Sequence, residues 1–243
     1  MSVHENEYMN QRQVATNFLS AAARLDRDTE VRLYQLYRDY FRRGEEERRW
    51  VIWTDIPWDE TRLNPAPELV DAVWNAFQED VFLPDYSARA LQILRASRGR
   101  TWFLTRWAYE EGKHLLGLTE WLTRSGAMTS EEVRDGSELL LSAFQWEPDS
   151  LDGIDLFADF LHWETLETAR YEALLAQARD AGDLALVALL TRIVEEDAGH
   201  RDFFAESLRI IGETYPDQVA AARRRGEDAD GVGGAVVIES TRG

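Results

Sequence analysis

Two stretches of this chain pair a carboxylate with an imidazole at helical spacing. In WAYEEGKHLL (107–116) Glu111 precedes His114 by three residues, and in IVEEDAGHRDFF (193–204) Asp197 precedes His200 by the same interval. Three residues is close to one helical turn, so both members of each pair face the same way. A carboxylate and an imidazole on each of two helices is how a four-helix bundle holds two iron or manganese ions. Such a centre needs further acids on apolar helix faces, where an uncompensated charge is costly. In the stretch 154–181 the apolar stripe Leu156, Phe157, Phe160, Leu161, Thr168, Tyr171, Leu174, Leu175 has Glu164 inside it and Glu167 on its edge. In 67–82 the stripe Val70, Val73, Trp74, Phe77 runs into Glu79 and Asp80. Four carboxylates and two imidazoles result. This hard, oxygen-rich set suits iron or manganese, whereas zinc prefers more nitrogen or sulfur. His4 and His162 read as ordinary residues.

Helices must carry these groups. Apolar residues recur every three or four positions from Arg27 to about Arg49, with charges on the other face. The segment 50–69, with three tryptophans and three prolines, reads as a packed loop. A helix begins near Pro67 and stops at Leu83-Pro84, where Pro84 starts a shorter one. Long helices follow over about 101–124 and 154–181, separated by one that Thr129 and Glu132 open as a capping box. Gly182 ends the second long helix and Asp183 caps its successor, which runs to Pro216. No alternating strand pattern appears before the tail. The sequence predicts an all-α four-helix bundle with accessory helices: an arm over 1–26, a helical domain over 27–225, and a tail over 226–243.

Composition narrows the functions. The absence of cysteine excludes disulfides, thiolate metal sites, iron–sulfur clusters and a cysteine nucleophile. A formal charge of −18 argues against non-specific binding of nucleic acid. The polar N-terminus and the lack of a long apolar run lead us to expect neither a signal peptide nor a membrane span, and a cytoplasmic location. Basic groups that could meet an acidic partner are Arg42, Arg43, Arg48 and Arg49, then Arg95, Arg98 and Arg100, then Arg223, Arg224 and Arg225.

With these residues in order, the chain resembles the acyl–carrier-protein desaturases, soluble ferritin-like di-iron enzymes that dehydrogenate a carrier-bound acyl chain. WAYEEGKHLL matches the family's Trp-x-x-Glu-Glu-x-x-His-x-x-Leu helix, and EDAGH falls where the family has Asp-Glu-x-x-His. The intervals 111–164 and 164–197 need no gap. The resemblance covers roughly residues 30–215. It implies that Glu111 and Asp197 bridge two irons, that Glu164, His114 and His200 are terminal ligands, and that Glu79 or Asp80 is the remaining one. Matching Phe77-Gln78-Glu79-Asp80 from its N-terminal side favours Glu79. It further implies that Glu196 lies just behind the ligands and that Trp50 completes an electron path inward.

Three features depart from the family. Asp197 is one methylene shorter than the family's Glu, Glu167 replaces a threonine near the oxygen site, and the chain stops soon after the last ligand helix. The expected activity is O2-dependent desaturation of an acyl chain on acyl-carrier protein, with a ferredoxin-type electron donor and a homodimeric assembly. Glu167 and Asp197 keep open a di-iron oxygenase or peroxidase-like reaction on a carrier-bound substrate. A ferritin-like iron-binding protein, or a metal-free binding module, completes the alternatives.

Overall fold

The computed structural model describes residues 25–228. They form α1 (Arg27–Glu47), a short α2 (Ile52–Asp55), a 3-10 turn (Trp58–Glu60), α3 (Pro67–Asp80), α4 (Leu83–Ile93), α5 (Arg98–Arg124), α6 (Ser130–Ala143), α7 (Gly153–Ala181), α8 (Leu184–Gly212) and α9 (Pro216–Asp228). No strand occurs among the described residues. The expected arm at 1–26 lies outside them except for Leu25 and Asp26, and the expected tail lies outside them from residue 229.

Four helices make the bundle. α3 packs on α5 and α7, and α8 packs on the same two, so α3, α5, α8 and α7 close a ring. α1 lies across α5 and α8, α4 on α5, and α9 across α7 and α8. No helix among the described residues is long and apolar enough to cross a membrane.

Local chemistry sets the ends. Asp26 caps α1 by accepting from the N–H groups of Asp28 and Thr29. Thr129 and Glu132 form the expected capping box of α6. Gly182 adopts a left-handed φ of 68° between α7 and α8, a conformation glycine reaches without a Cβ penalty. Asp183 then caps α8 through Leu186 N–H and also accepts from Trp121 Nε1 at 2.8 Å, tying the turn to α5.

Three expectations are revised. The tryptophan-rich loop contains the short α2 and the 3-10 turn, held where Trp58 Nε1 donates to the Ile52 carbonyl at 2.7 Å. Trp50 and Trp58 are buried there, but Trp53 is exposed. The last long helix ends at Gly212, and Pro216 opens a further helix, because a proline that cannot continue one helix is preorganised to start the next. Finally, α3 ends at Asp80, so the residues before Leu83-Pro84 form a turn.

Gly99 marks the closest approach of α1 to α5. A Cβ there would lie 2.5 Å from the Leu33 carbonyl carbon and 2.6 Å from its oxygen. Helix propensity alone would make Gly99→Ala stabilising by about 1 kcal/mol. The neighbour is backbone, so the clash must dominate, and we expect a net loss of about 1–3 kcal/mol by denaturant titration.

Candidate metal centre

Each bundle helix sends acids to one place. Asp80 comes from the end of α3, Glu111 and His114 from α5, Glu164 from α7, and Asp197 and His200 from α8, and none is more than 3% exposed. Donor atoms of Glu111, Glu164, Asp197 and His200 all lie within 4.8 Å of one another, as do those of Asp80, Glu111 and Glu167. Glu111 belongs to both groups. Its Oε2 is 3.1 Å from His114 Nδ1, and its Oε1 is 3.0 Å from His200 Nδ1. Asp197 Oδ1 is 3.6 Å from His114 Nδ1 and 3.8 Å from His200 Nδ1. These two carboxylates therefore stand between the imidazoles.

The outer edges of these groups are held by the surrounding helices. His114 Nε2 meets Glu196 Oε2 of α8 at 3.1 Å, and His200 Nε2 meets Glu110 Oε2 of α5 at 3.0 Å. A carboxylate on Nε2 favours a proton there and leaves Nδ1 to face the cluster. Glu196 is itself paired with buried Lys113. Glu110 accepts from Tyr40 Oη at 2.6 Å and from Arg106 Nε at 2.7 Å. Trp107 Nε1 donates to Glu164 Oε1 at 2.6 Å, and Tyr171 Oη donates to Asp80 Oδ2 at 2.8 Å.

Burial and charge split the acids. Burial works against ionisation of Glu111, but the charges of His114 and His200 overcome it and hold the carboxyl down to about 2. Glu110 and Glu196 are also held low, despite burial, by the histidines and cations they touch. Asp197, slightly farther from both imidazoles, is pushed well up by burial and by the charges of Glu111 and Glu164. Burial and the nearby Glu111 charge push Asp80 up to about 7, and burial raises Glu164 and Glu167. Burial opposes protonation of His114 and His200, yet the groups facing them hold both well above the usual histidine range. The cluster thus holds protons where a cation would replace them.

Its donors fit that replacement. Glu164 Oε2 and both Asp197 carboxylate oxygens are buried with no hydrogen-bond partner, and Glu111 Oε1 and His200 Nδ1 meet each other at 3.0 Å. Unpartnered polar atoms of this kind are costly unless something compensates them. Hard oxygens with imidazole nitrogen are the donors that iron and manganese prefer.

Five of the six anticipated metal-site residues come together: Glu111, His114, Glu164, Asp197 and His200. Glu79 does not. It is exposed and pairs with Arg170 at 2.8 Å, while Asp80 turns inward. Asp80 continues the buried face Leu69, Val73, Phe77 three residues beyond Phe77, whereas Glu79 lies about 200° around the helix from Phe77. Of the other anticipated residues, Glu196 sits behind His114 and Glu167 beside Asp80. Trp50 is buried with Lys113 Nζ 4.4 Å from its ring centre, so Lys113 and Glu196 lie between it and His114. Arg100 is buried against Glu30, Ser97 and the Gly153 carbonyl, which removes it from the basic surface. Glu110 was missed, although Glu110-Glu111-x-x-His114 and Glu196-Asp197-x-x-His200 place an acid four residues before each histidine. Arg106 stands four residues before Glu110 on the same helix, whereas Tyr40, Trp107 and Tyr171 reach their partners across helices and leave no spacing signal.

No protein-family model and no curated protein matches the sequence. Among solved structures, the X-ray structure of "putative acyl-ACP desaturase DesA2" from Mycobacterium tuberculosis H37Rv superposes with a TM-score of 0.59 at 18% identity. The match covers 88% of this chain and 83% of that one. The two chains share the all-α ferritin-like bundle.

Proposed function

We propose that this chain is an O2-dependent dinuclear-metal oxidoreductase whose substrate is an acyl chain presented by acyl-carrier protein. The observation that carries the metal assignment is the buried cluster of carboxylates and two imidazoles, in which Glu164 Oε2 and both Asp197 oxygens have no hydrogen-bond partner. Two irons fit the donors best, and manganese shares their preferences. Asp80 and His114 would hold one ion, Glu164 and His200 the other, and Glu111 and Asp197 would span both. Reduced iron bound there would supply O2 activation and attack on an unactivated carbon–hydrogen bond. The chain's own groups fix the imidazoles through Glu110 and Glu196, orient Glu164 through Trp107, and keep water from the buried face. The acyl-carrier substrate is supported by the shared fold and by the sequence resemblance. The exposed Arg42, Arg43 and Arg49 near the end of α1 offer a basic surface for an acidic carrier. A ferredoxin-type donor would reduce the metals, and a homodimer is the assembly we expect.

Desaturation removes two hydrogens from the acyl chain, whereas oxygenation adds one oxygen atom. Glu167, beside Asp80 and Glu111, favours keeping oxygenation as the second reading. Reduced, iron-loaded protein with O2 and a panel of acyl-carrier-protein chain lengths separates them by mass spectrometry. Loss of two hydrogens is the expected result. A panel left unchanged at every length would overturn the substrate assignment.

The α3 acids give a sharper check. Asp80→Asn should lower the bound metal from about two ions per chain to about one, within a dinuclear bundle site. Glu79→Gln breaks only an exposed ion pair worth about 0–1 kcal/mol and should leave the metal content unchanged. Elemental analysis of the two variants reads the difference.

A further inference from the structure

We infer that Glu167 is an additional metal ligand, and that the two ions enter in a fixed order, with the Glu164–His200 half filling before the Asp80–Glu167 half. This rests on the dinuclear reading above. The two donor groups share Glu111 and are otherwise different in character.

The Glu164–His200 half is preorganised. Glu164 Oε2, which only this half would use, has no hydrogen-bond partner, and the remaining atoms of its terminal groups are already fixed, Glu164 Oε1 by Trp107 and His200 Nε2 by Glu110. A cation arriving there displaces the contact of His200 Nδ1 with Glu111 Oε1 at 3.0 Å, while the next acid, Glu164 Oε2, stands 3.6 Å away with no hydrogen-bond partner.

The other half is engaged with itself. Among the described residues, none of the unpartnered buried atoms belongs to Asp80, His114 or Glu167. Asp80 Oδ2 accepts from Tyr171, and His114 Nδ1 is hydrogen-bonded to Glu111 Oε2 at 3.1 Å. A cation held by His114 Nδ1 displaces that contact, as one at His200 Nδ1 displaces its own with Glu111; what sets this half apart is Asp80, already bonded to Tyr171 and to Glu167. Glu167 is positioned to assist: it follows Glu164 by three residues on α7, and its carboxylate lies within 4.8 Å of donor atoms of Asp80 and Glu111. The same helix therefore serves both halves, Glu164 one ion and Glu167 the other. The second ion would gain a further carboxylate, while the first would not.

Anaerobic titration of the full, metal-free chain with Mn2+, followed by electron paramagnetic resonance, tests this. The first equivalent should give the signal of isolated Mn2+. The second should bind at least about 10-fold more weakly and convert the signal to that of a coupled pair. Glu167→Gln should retain the first ion and weaken the second by on the order of 10–100-fold or more, since even outer groups of a metal site have effects of that size. Glu167→Asp should recover part of the loss. Glu172→Gln, an exposed change on the same helix, should bind both ions like the wild type, and circular dichroism confirms that each variant is folded. A folded Glu167→Gln that binds both ions as the wild type does overturns the ligand assignment. Two ions binding with equal affinity and no isolated-ion stage overturns the order. A wild-type chain that takes up no Mn2+ and no Fe2+ overturns the dinuclear reading itself.

Discussion

Glu111→Gln and Asp197→Asn should both abolish the dinuclear centre yet shift the stability of the metal-free protein in opposite directions. Both residues stand between the imidazoles, so either amide removes a negative charge that two cations would share, and binding of both should fall by at least on the order of 100-fold. Without metal their situations differ. Glu111 makes the shorter approaches, 3.1 and 3.0 Å, to His114 and His200, and their charge holds its carboxyl down to about 2. Removing it leaves two buried imidazoles short of a counter-charge, at a cost of about 1–3 kcal/mol or more. Asp197 lies farther from the same nitrogens, has both oxygens unpartnered, and is pushed well up by burial and by neighbouring acids. Its ionised form opposes folding, so the neutral amide should raise metal-free stability by about 1–3 kcal/mol at alkaline pH. Chemical denaturation of the two apo variants at pH 8 reads the sign. Destabilisation by Asp197→Asn would contradict this charge distribution.

Metal should also stabilise the protein more at pH 8 than at pH 6. Asp80, with its pKa pushed up to about 7 from 3.8, and Asp197, Glu164 and Glu167, all raised, contribute stability that is present at low pH and lost as pH rises through their folded values. His114 and His200, raised above 6.5, act in the same direction at higher pH. Glu110, Glu111 and Glu196, held below 4.5, act in the opposite sense, but their contribution is lost only in more acidic solution. From about pH 4 upward the metal-free fold should therefore weaken, while cations that replace the protons keep the loaded fold intact. Metal at 1,000 times its Kd contributes about 4 kcal/mol. For a chain of this size that corresponds to roughly 8–16 °C in Tm. Calorimetric scans with and without Fe2+ under argon should show a Tm increase at least several degrees larger at pH 8. An equal increase at both pH values would show that the cluster does not exchange protons for metal.

Much of this was legible in the sequence because helical spacing is a strong constraint. Pairs at 111/114 and 197/200, and an acid at 164 inside an apolar stripe, each specify a helix face, and faces of four helices can meet in few ways. For the first carboxylate, alignment with the family from the N-terminal side favours Glu79, whereas the buried face of α3 carries Asp80. Phe77 to Asp80 is one turn, and that spacing alone pointed inward. The partners behind the buried cluster were less legible. Glu110 repeats the position of Glu196 and was recoverable from the doubled motif. Arg106 reaches Glu110 along α5 at i,i+4 spacing, which the sequence does carry, whereas Tyr40 reaches Glu110, and Tyr171 reaches Asp80, only through the packing of α1 on α5 and of α7 on α3. The helix after Pro216 is not legible because a proline that stops one helix can equally open the next.

The most direct test is the iron content of the full chain, purified after anaerobic loading and desalting, measured by inductively coupled plasma mass spectrometry beside Glu111→Gln. About two irons per wild-type chain and nearly none in the variant are expected for a centre built around one shared carboxylate. Many irons per chain would instead indicate storage. No iron in the wild type, or two in the variant, would contradict a dinuclear centre held by Glu111.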